Sequence, residues 1–304
     1  KAITSLIHGQ KAAQGEERSL VSPIRKDLRL GSVIDAPQHV AEQAMRVARE
    51  GFLKWTNTCV QKRAGILEKA ADMLEKSMAK FLSILIHEGG KTIEDAIAEV
   101  REAIDFCRYY AAHGSQLFGE PFALKGPTGE RNTHYLVGRG VFLAISPWNF
   151  PLAIFLGQVT AALMAGNTVV AKSAAQTPIV AFEVVRLLHD AGVPTDALQL
   201  VLGKGSVVGK PLLEHPSLAG VVFTGSNETA RLIQNTLSQR EGHIVPLIAE
   251  TGGINAMIID SSALLEQTVD DVIASAFRSA GQRCSCLRLI YVQEDIADAF
   301  CRML

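Results

Sequence analysis

The feature that most constrains the fold of this chain is a regular alternation of short apolar runs with helical segments from Val141 onward. The apolar runs occupy residues 141–145, 168–171, 198–201, 220–223 and 246–249. Helical patterns fill the gaps at residues 152–164, 179–191, 206–213 and 227–237. Such alternation is typical of βαβ crossovers, in which helices cover both faces of a parallel sheet. The sequence therefore predicts an α/β fold built on a parallel sheet.

The flanking regions follow other patterns. Residues 1–40 are predicted to be irregular, and apolar positions three and four apart predict one helix over residues 67–85, ended by Gly89 and Gly90. A second helix is predicted over residues 93–107, with Cys107 on its apolar face as a core residue. The remaining predictions are a Gly-rich excursion at 125–140 with an extended stretch at 134–137, and a strand–helix–strand unit at 256–259, 265–277 and 289–292.

Composition excludes several classes of function. The 304 residues carry 30 basic and 31 acidic side chains, so no basic field is available to bind nucleic acid. Five cysteines at scattered spacing do not form a disulfide framework, which favours a reducing compartment and a cytoplasmic location. The longest apolar run, residues 150–165, is interrupted by Gln158 and Thr160, so no membrane span is expected.

Polar residues follow most of the predicted strands. The stretch Ser146-Pro-Trp-Asn-Phe-Pro151 follows the first strand, and Lys172 follows the second. Thr224-Gly-Ser226 and Glu250-Thr-Gly-Gly253 follow two later strands. Ligands of open parallel sheets bind beyond the carboxyl ends of the strands. Each group alone is weak evidence, since an isolated lysine is usually solvated and a Gly-Gly pair is usually a turn.

The strongest single signal for chemistry is Gly281-Gln-Arg-Cys284-Ser-Cys286. A glycine-led turn can expose the Cys284 sulfur, and Arg283 and Arg288 could favour its thiolate. Two alternatives remain: a pair of buried cysteines on an edge strand, and a Cys-x-Cys metal site. The metal site ranks lowest because no partner with ligand spacing exists, and we predict none.

Two other patterns carry little weight. Gly203-x-Gly205-x-x-x-Gly209 follows a strand but lacks the Gly-x-Gly-x-x-Gly spacing of a dinucleotide fingerprint. The eight histidines are dispersed, and none is assigned a catalytic role.

Taken together, these groups resemble the aldehyde dehydrogenase superfamily in both order and spacing, and Glu250 precedes Cys284 by 34 residues. The resemblance extends from about Val40 to the end of the chain. It implies a Rossmann-type cofactor domain followed by the start of an α/β catalytic domain. The expected divisions are an N-terminal helical part at 1–127, an oligomerisation-type excursion at 128–140, the NAD(P)-binding domain at 141–254 and an incomplete catalytic domain at 255–304.

Three stretches are more similar to one branch of the superfamily, the Δ1-pyrroline-5-carboxylate (glutamate γ-semialdehyde) dehydrogenases. These stretches are residues 88–112, 248–262 and 279–287. The branch includes a module that the bifunctional proline-utilisation flavoenzyme carries behind a proline dehydrogenase domain. The resemblance therefore implies oxidation of glutamate γ-semialdehyde to glutamate, a fused or channelling proline dehydrogenase domain, and a homo-oligomer.

The resemblance also implies residue roles. Cys284 is the nucleophile, Glu250 activates water, and the Asn149 side chain with the Cys284 backbone N–H forms the oxyanion hole. Ser285 contacts the substrate's α-carboxylate. The implied NAD contacts are Ile145, Ser146, Pro147 and Trp148 at the nicotinamide side, Lys172 at the adenosine ribose, Gly225 and Ser226 at the pyrophosphate, and Gly252 at the nicotinamide amide.

Two departures from the family pattern qualify these expectations. The family commonly has Lys-Pro-x-Glu after the second strand, whereas this chain has Lys172-Ser-Ala-Ala175, so NADP becomes an acceptable alternative to NAD. The chain also ends 20 residues after Cys284, where family members continue. We therefore expect a truncated chain that is inactive by itself.

Three competing hypotheses remain. Another semialdehyde or aliphatic aldehyde dehydrogenase would differ in substrate preference. A non-catalytic cofactor-binding fragment would bind NAD without turnover. A thiol esterase would use Cys284 and Glu250 without a cofactor.

Overall fold

The largest sheet has seven strands in the spatial order β12-β11-β8-β9-β10-β2-β3 in a computed structural model that describes residues 2–304. Its strands are β2 (Ser5–Ile7), β3 (Gln10–Ala12), β8 (Val141–Ile145), β9 (Thr168–Lys172), β10 (Leu198–Val201), β11 (Leu218–Gly225) and β12 (Leu247–Thr251). All five apolar runs predicted as strands are confirmed. The register is parallel between β10 and β9, β9 and β8, and β8 and β11.

The order of the parallel strands reverses between β8 and β11. From β8 the chain proceeds outward through β9 and β10, then returns to the other side of β8 to form β11 and β12. The carboxyl ends of strands at such a reversal leave a crevice in which doubly wound proteins bind ligands. This topology places the candidate cofactor site beyond the ends of β8 and β11.

Helices cover both faces of the sheet, which explains why its central strands are apolar on both sides. Val169, Val170 and Ala171 are fully buried. The covering helices after β8 are α5 (Ala153–Met164), α6 (Pro178–Ala191), α7 (Gly205–Glu214) and α8 (Asn227–Ser238). These bounds confirm the four predicted helices to within a residue.

Four earlier helices are α1 (Gln38–Thr56), α2 (Val60–Lys76), α3 (Met78–Gly89) and α4 (Ile93–Gly119). The prediction of one helix over residues 67–85 is wrong, because the chain breaks at Ser77 between α2 and α3. Serine competes with helix formation and favours helix ends. The second predicted helix is confirmed as α4, where Thr92 Oγ1 accepts the Asp95 N–H at 3.2 Å as an N-cap. Cys107 is fully buried on it, as predicted.

The expectation that residues 1–40 are irregular is wrong. Residues 2–35 form five short strands, of which β1 (Ala2–Ile3), β4 (Glu16–Val21) and β5 (Arg29–Asp35) make a separate three-stranded sheet. β2 pairs antiparallel with β10, and so extends the main sheet beyond its parallel part. These strands are short and pair with distant segments, so local periodicity does not reveal them.

The excursion before β8 forms a hairpin of β6 (Phe122–Leu124) and β7 (Asn132–His134). The predicted extended stretch at 134–137 is therefore misplaced, since the paired strand ends at His134. Tyr135 and Val137 follow it with exposed side chains.

The chain divides into two compact units. Unit 1 holds residues up to Thr224 together with Glu228–Ala249, and unit 2 holds Gly225–Asn227 with Glu250–Leu304. Within unit 2, β13 (Asn255–Ile259) and β14 (Leu287–Val292) pair in parallel, with α9 (Leu265–Phe277), a 3-10 turn (Arg278–Gly281) and α10 (Glu294–Met303). This arrangement confirms the predicted strand–helix–strand unit. None of the helices within residues 2–304 is both long and apolar enough to cross a bilayer.

Candidate active site

The loop after β8, Ser146-Pro-Trp-Asn-Phe-Pro151, leads into α5. Ser146 is buried, and its N–H donates to the Lys172 carbonyl at 3.2 Å, which ties the loop to the end of β9. Pro147 and Asn149 are half-buried, whereas 41% of Trp148 is exposed. The loop therefore starts from a fixed strand end and presents Trp148 to solvent.

Lys172 lies beside Ile145 in the register of β8 and β9. Burial lowers the pKa of the Lys172 ammonium, because a low-dielectric environment disfavours the charged form, while the Asp35 carboxylate opposes this shift. Lys172 and Ile145 both line one cavity. The structure thus brings together two of the predicted cofactor residues at the ends of adjacent strands.

That cavity has a volume of about 680 Å³ and lies beside α7 and α8. Its other lining residues include Gly205, Ser206, Gly209, Thr229 and Ile233. The volume is within the range of sites that hold a cofactor or a drug-sized ligand. Gly205 begins α7, whose first N–H groups and positive dipole end favour a negatively charged ligand. The structure therefore fits a nucleotide at this place.

Several cavity residues were missed by the sequence analysis. The spacing of Gly203, Gly205 and Gly209 was given little weight, yet Gly205 and Gly209 line the cavity, where the absence of a Cβ keeps the helix surface open. Ser206, Thr229 and Ile233 carry no motif. The available signal was their position on the two helices that follow β10 and β11.

Arg18 on β4 lies next to residue 175. Its Nη2 donates to the Ala175 carbonyl at 3.0 Å, and its guanidinium forms two bonds to the Asp35 carboxylate at 3.1 and 3.2 Å. The Arg18 guanidinium therefore lies against Ala175, the residue that stands where aldehyde dehydrogenases commonly have a glutamate. Nothing in the motif pattern pointed to Arg18.

In unit 2, Cys284 and Cys286 have opposite environments. Cys284 is exposed and Cys286 is fully buried. The Asn255 side-chain amide donates to the carbonyl of Cys284 at 2.7 Å and to that of Cys286 at 3.0 Å. Asn255 begins β13 and so fixes the cysteine loop from the neighbouring strand. The interpretation of two buried cysteines is wrong for Cys284.

The approach to Cys284 has an unusual backbone. Ser279, Ala280 and Gly281 have φ angles of 54°, 53° and 67°, in the left-handed region that non-glycine residues rarely adopt. Arg288 Nη2 donates to the Gly281 carbonyl at 2.7 Å, and Arg283 Nη2 donates to the carbonyls of Ala274 and Ser275. Both guanidinium groups thus make bonds that hold this turn in place.

The other predicted site residues of unit 2 are accessible. Glu250 on β12 is exposed, as are Gly252, Ser226 and Ser285, and Gly225 is half-buried at the end of β11. Asn149 and the residues lining the 680 Å³ cavity belong to unit 1. The predicted nucleophile and base therefore share one compact unit, and the residues at the ends of β8 and β9 share the other.

Comparison with known proteins identifies relatives of this chain. Residues 10–304 match the aldehyde dehydrogenase family. The bifunctional protein PutA of Klebsiella aerogenes is 47% identical over 298 residues, which cover 97% of this chain and 22% of that protein. This chain thus spans less than a quarter of the length of that relative.

Two solved structures are also similar. A variant of Bradyrhizobium japonicum proline utilization A has a TM-score of 0.86 and 61% identity, over 88% of this chain and 28% of that one. A 1-pyrroline-5-carboxylate dehydrogenase from Thermus with bound NAD has a TM-score of 0.96 and 29% identity, over 100% of this chain and 59% of that one. The predicted α/β architecture is the one these structures share.

Proposed function

Because the chain belongs to the aldehyde dehydrogenase family, we propose that it contributes the cofactor site and the nucleophile for oxidation of glutamate γ-semialdehyde to glutamate. The observation that carries this proposal is the exposed Cys284 on a loop fixed by Asn255, next to a buried Cys286. Relatives named for 1-pyrroline-5-carboxylate oxidation and proline utilization support the choice of substrate.

The chemistry begins at Cys284. Its thiolate attacks the aldehyde carbon and forms a thiohemiacetal, whose oxyanion accepts hydrogen bonds from the Asn149 side-chain amide and the Cys284 N–H. A bound nicotinamide cofactor supplies the hydride acceptor for this oxidation, which leaves a thioester on Cys284. Glu250 then takes a proton from a water molecule, whose oxygen attacks the thioester carbon and releases the Cys284 thiolate.

The residues that hold the cofactor in this proposal are those that the family resemblance implies. Lys172 binds the adenosine ribose, supported by its place in the 680 Å³ cavity. Ile145, Ser146, Pro147 and Trp148 lie at the nicotinamide side, Gly225 and Ser226 bind the pyrophosphate, and Gly252 lies by the nicotinamide amide. The exposure of Trp148 leaves its indole available for such a contact.

We further propose that discrimination against NADP is weak, with NAD as the preferred cofactor. Ala175 removes a carboxylate that would repel a 2′-phosphate. Arg18, which donates to the Ala175 carbonyl, adds a positive charge nearby that Asp35 partly neutralises. The NAD-bound relative supports binding of NAD itself.

The proposal for the whole protein extends beyond these residues. Ser285, adjacent to Cys284 and exposed, binds the substrate's α-carboxylate. The bifunctional relatives support fusion to a proline dehydrogenase domain that supplies the substrate. We also propose a homo-oligomer in which the 128–140 excursion takes part, and a cytoplasmic location.

A panel of aldehydes tests this function. Full-length protein is assayed for NADH production with glutamate semialdehyde, succinate semialdehyde and an aliphatic aldehyde, with Cys284→Ala as the control. Glutamate semialdehyde should give the highest kcat/KM, and the control should be inactive. NAD binding without product from any aldehyde would favour a non-catalytic module, and ester hydrolysis that persists without cofactor would favour an esterase.

A further inference from the structure

The segment from Glu88 to Glu99 supplies two buried carboxylates that bind helices elsewhere in unit 1. Glu88 accepts the N–H groups of Ile179 and Val180 at 2.7 and 2.9 Å, at the start of α6. Glu99 Oε1 accepts those of Leu152 and Ala153 at 2.8 and 3.2 Å, at the start of α5. The N-cap residues of α5 and α6 make no side-chain cap of their own. Each glutamate therefore caps a helix from a different part of the chain.

Glu99 differs from Glu88 in having a buried cation as partner. Lys91 Nζ lies 2.7 Å from Glu99 Oε2, and the two side chains are 6% and 0% exposed. Burial raises the pKa of the Glu99 carboxyl, while Lys91 and the bonds from Leu152 and Ala153 oppose this shift. The pair is thus a desolvated charge pair in contact with the start of α5.

The same ammonium also contacts the loop that precedes α5. Lys91 Nζ lies 4.1 Å from the centroid of the Phe150 ring, a cation–π geometry. Lys91 follows Gly90, which turns the chain with a φ of 68°, and the Lys91 N–H donates to the Leu85 carbonyl at 3.3 Å. These backbone features fix the position of the Lys91 Cα atom, from which the side chain extends.

The contacts of Lys91 and Glu99 hold the C-terminal end of the loop that carries Asn149. Phe150 directly follows Asn149, and Leu152 begins the turn into α5. The start of the loop is held by the bond from Ser146 to Lys172. The backbone on either side of Asn149 is therefore held by one anchor at β9 and one at Lys91 with Glu99.

We propose that Lys91 and Glu99 form a positioning pair that holds Asn149 in place for oxyanion stabilisation. The proposal rests on the function proposed above. A buried ion pair is weak evidence for a stabilising role, because replacing both charges by neutral groups of similar shape often leaves stability unchanged. Such a replacement can therefore separate positioning from stability.

The test compares Lys91→Met, Glu99→Gln and the double variant in the full-length protein. The single changes leave one buried charge without its partner and should lower the urea midpoint. The double change removes both charges and leaves side chains of similar size, so the midpoint should return toward that of the parent. Glu88→Gln is the matched control, since it alters the equivalent cap of α6, and the Glu88 carboxylate bonds to Ile179 and Val180 and not to the start of α5.

The expected kinetic result is that kcat stays low in the double variant even though its urea midpoint recovers. In the double variant, kcat should fall between about 10-fold and 100-fold, because small misplacements of a catalytic group are costly. KM for the aldehyde and the dissociation constant of NAD should stay within about threefold, and Glu88→Gln should keep kcat within about twofold. A double variant whose kcat recovers together with its stability would refute the positioning role.

A second measurement does not depend on activity. The 304-residue chain has two tryptophans, the buried Trp55 and the exposed Trp148 of the loop, so 5-fluorotryptophan labelling gives one reference and one reporter. The Trp148 ¹⁹F resonance should shift or broaden in the double variant and stay unchanged in Glu88→Gln. An unchanged resonance in the double variant would overturn the proposal. If the parent fails to oxidise aldehydes, the proposed function falls, and this spectrum still decides whether the pair positions the loop.

Discussion

At the scale of single residues, the contrast in exposure between Cys284 and Cys286 predicts which thiol reacts. Cys284 is exposed on its fixed loop, whereas Cys286 is fully buried. Cys107 is buried as well, and burial raises the pKa of its thiol to about 12, so it carries almost no thiolate near neutral pH. We expect iodoacetamide to alkylate Cys284 at least roughly 10-fold faster than either, as measured by peptide mapping.

The exposed Cys59 and Cys301 serve as internal controls for accessibility alone. Both should react more slowly than Cys284 if Cys284 is the nucleophile. Preferential labelling of Cys286 would overturn the assignment of the nucleophile.

A second prediction at this scale concerns Glu250. In the full-length protein, Glu250→Gln should spare formation of the thioester more than its hydrolysis, because a glutamine cannot accept the proton of the attacking water. Rapid mixing should show a burst of NADH followed by turnover slower by roughly 100-fold. Absence of both burst and turnover would assign Glu250 to an earlier step.

Residue 175 gives the prediction for cofactor choice. Titration of NAD and NADP into the parent should show only modest preference for NAD. Ala175→Glu should raise that preference at least roughly 10-fold, because a carboxylate there would face a 2′-phosphate of like charge. A preference for NAD of several hundredfold in the parent would mean that Ala175 has no such effect.

At the scale of elements, Glu88 makes the capping of α6 sensitive to pH. Burial raises the pKa of its carboxyl from 4.5 to about 7, although the bonds from Ile179 and Val180 oppose the shift. Since the folded-state value is the higher one, the contribution of Glu88 to stability is full below about pH 4.5 and is lost as the pH rises through about 7. The shift in pKa corresponds to a decrease in the free energy of unfolding on the order of 3 kcal/mol.

Urea unfolding of the parent and Glu88→Gln at about pH 5 and about pH 8 checks this prediction. The variant cannot titrate at this position. The free energy of unfolding of the parent, minus that of the variant, should therefore be smaller at the higher pH than at the lower one. A difference that stays constant would show that Glu88 keeps an ordinary pKa.

The elements also show which parts of the fold a sequence reveals. The strands and helices from β8 to α8 were predicted to within two residues at each end, because buried parallel strands are continuous apolar runs separated by helices. Strands such as β2 and β4 were missed since they are short and depend on distant partners. The break at Ser77 was missed because the apolar spacing continues from Leu74 through Phe81 across it.

Site residues divide in the same way. Glu250, Asn149 and Lys172 follow predicted apolar strands and Cys284 follows a glycine-led turn, so sequence order and family resemblance could single them out, and their roles stay predictions. The contacts of Arg18, Asn255 and the Lys91–Glu99 pair could not be predicted, because they join segments far apart in sequence.

At the scale of the whole molecule, the two compact units have cores of very different size. Unit 1 contains the sheet from β3 to β11 and two large apolar clusters. The core of unit 2 consists of Ile259, Val269, Val272, Leu287 and Phe300. Ile258 and Tyr291, on its two strands, are 82% and 57% exposed. Since burial of apolar surface is the main source of stability, unit 2 should have the lower free energy of opening.

Native-state hydrogen exchange of the 304-residue chain measures this difference directly. Amides of β8, β9 and β10 should exchange only through global unfolding, because these strands are buried on both faces in the largest core. Amides of β13 and β14 should exchange at least roughly 10-fold faster, through opening of unit 2 alone. Tyr291→Ala serves as the control: the side chain is exposed, so its loss should change neither rate by more than about twofold. Equal protection of β9 and β13 would show that the two units unfold as one cooperative body. The small apolar core of unit 2 would then not by itself account for the protection of β13.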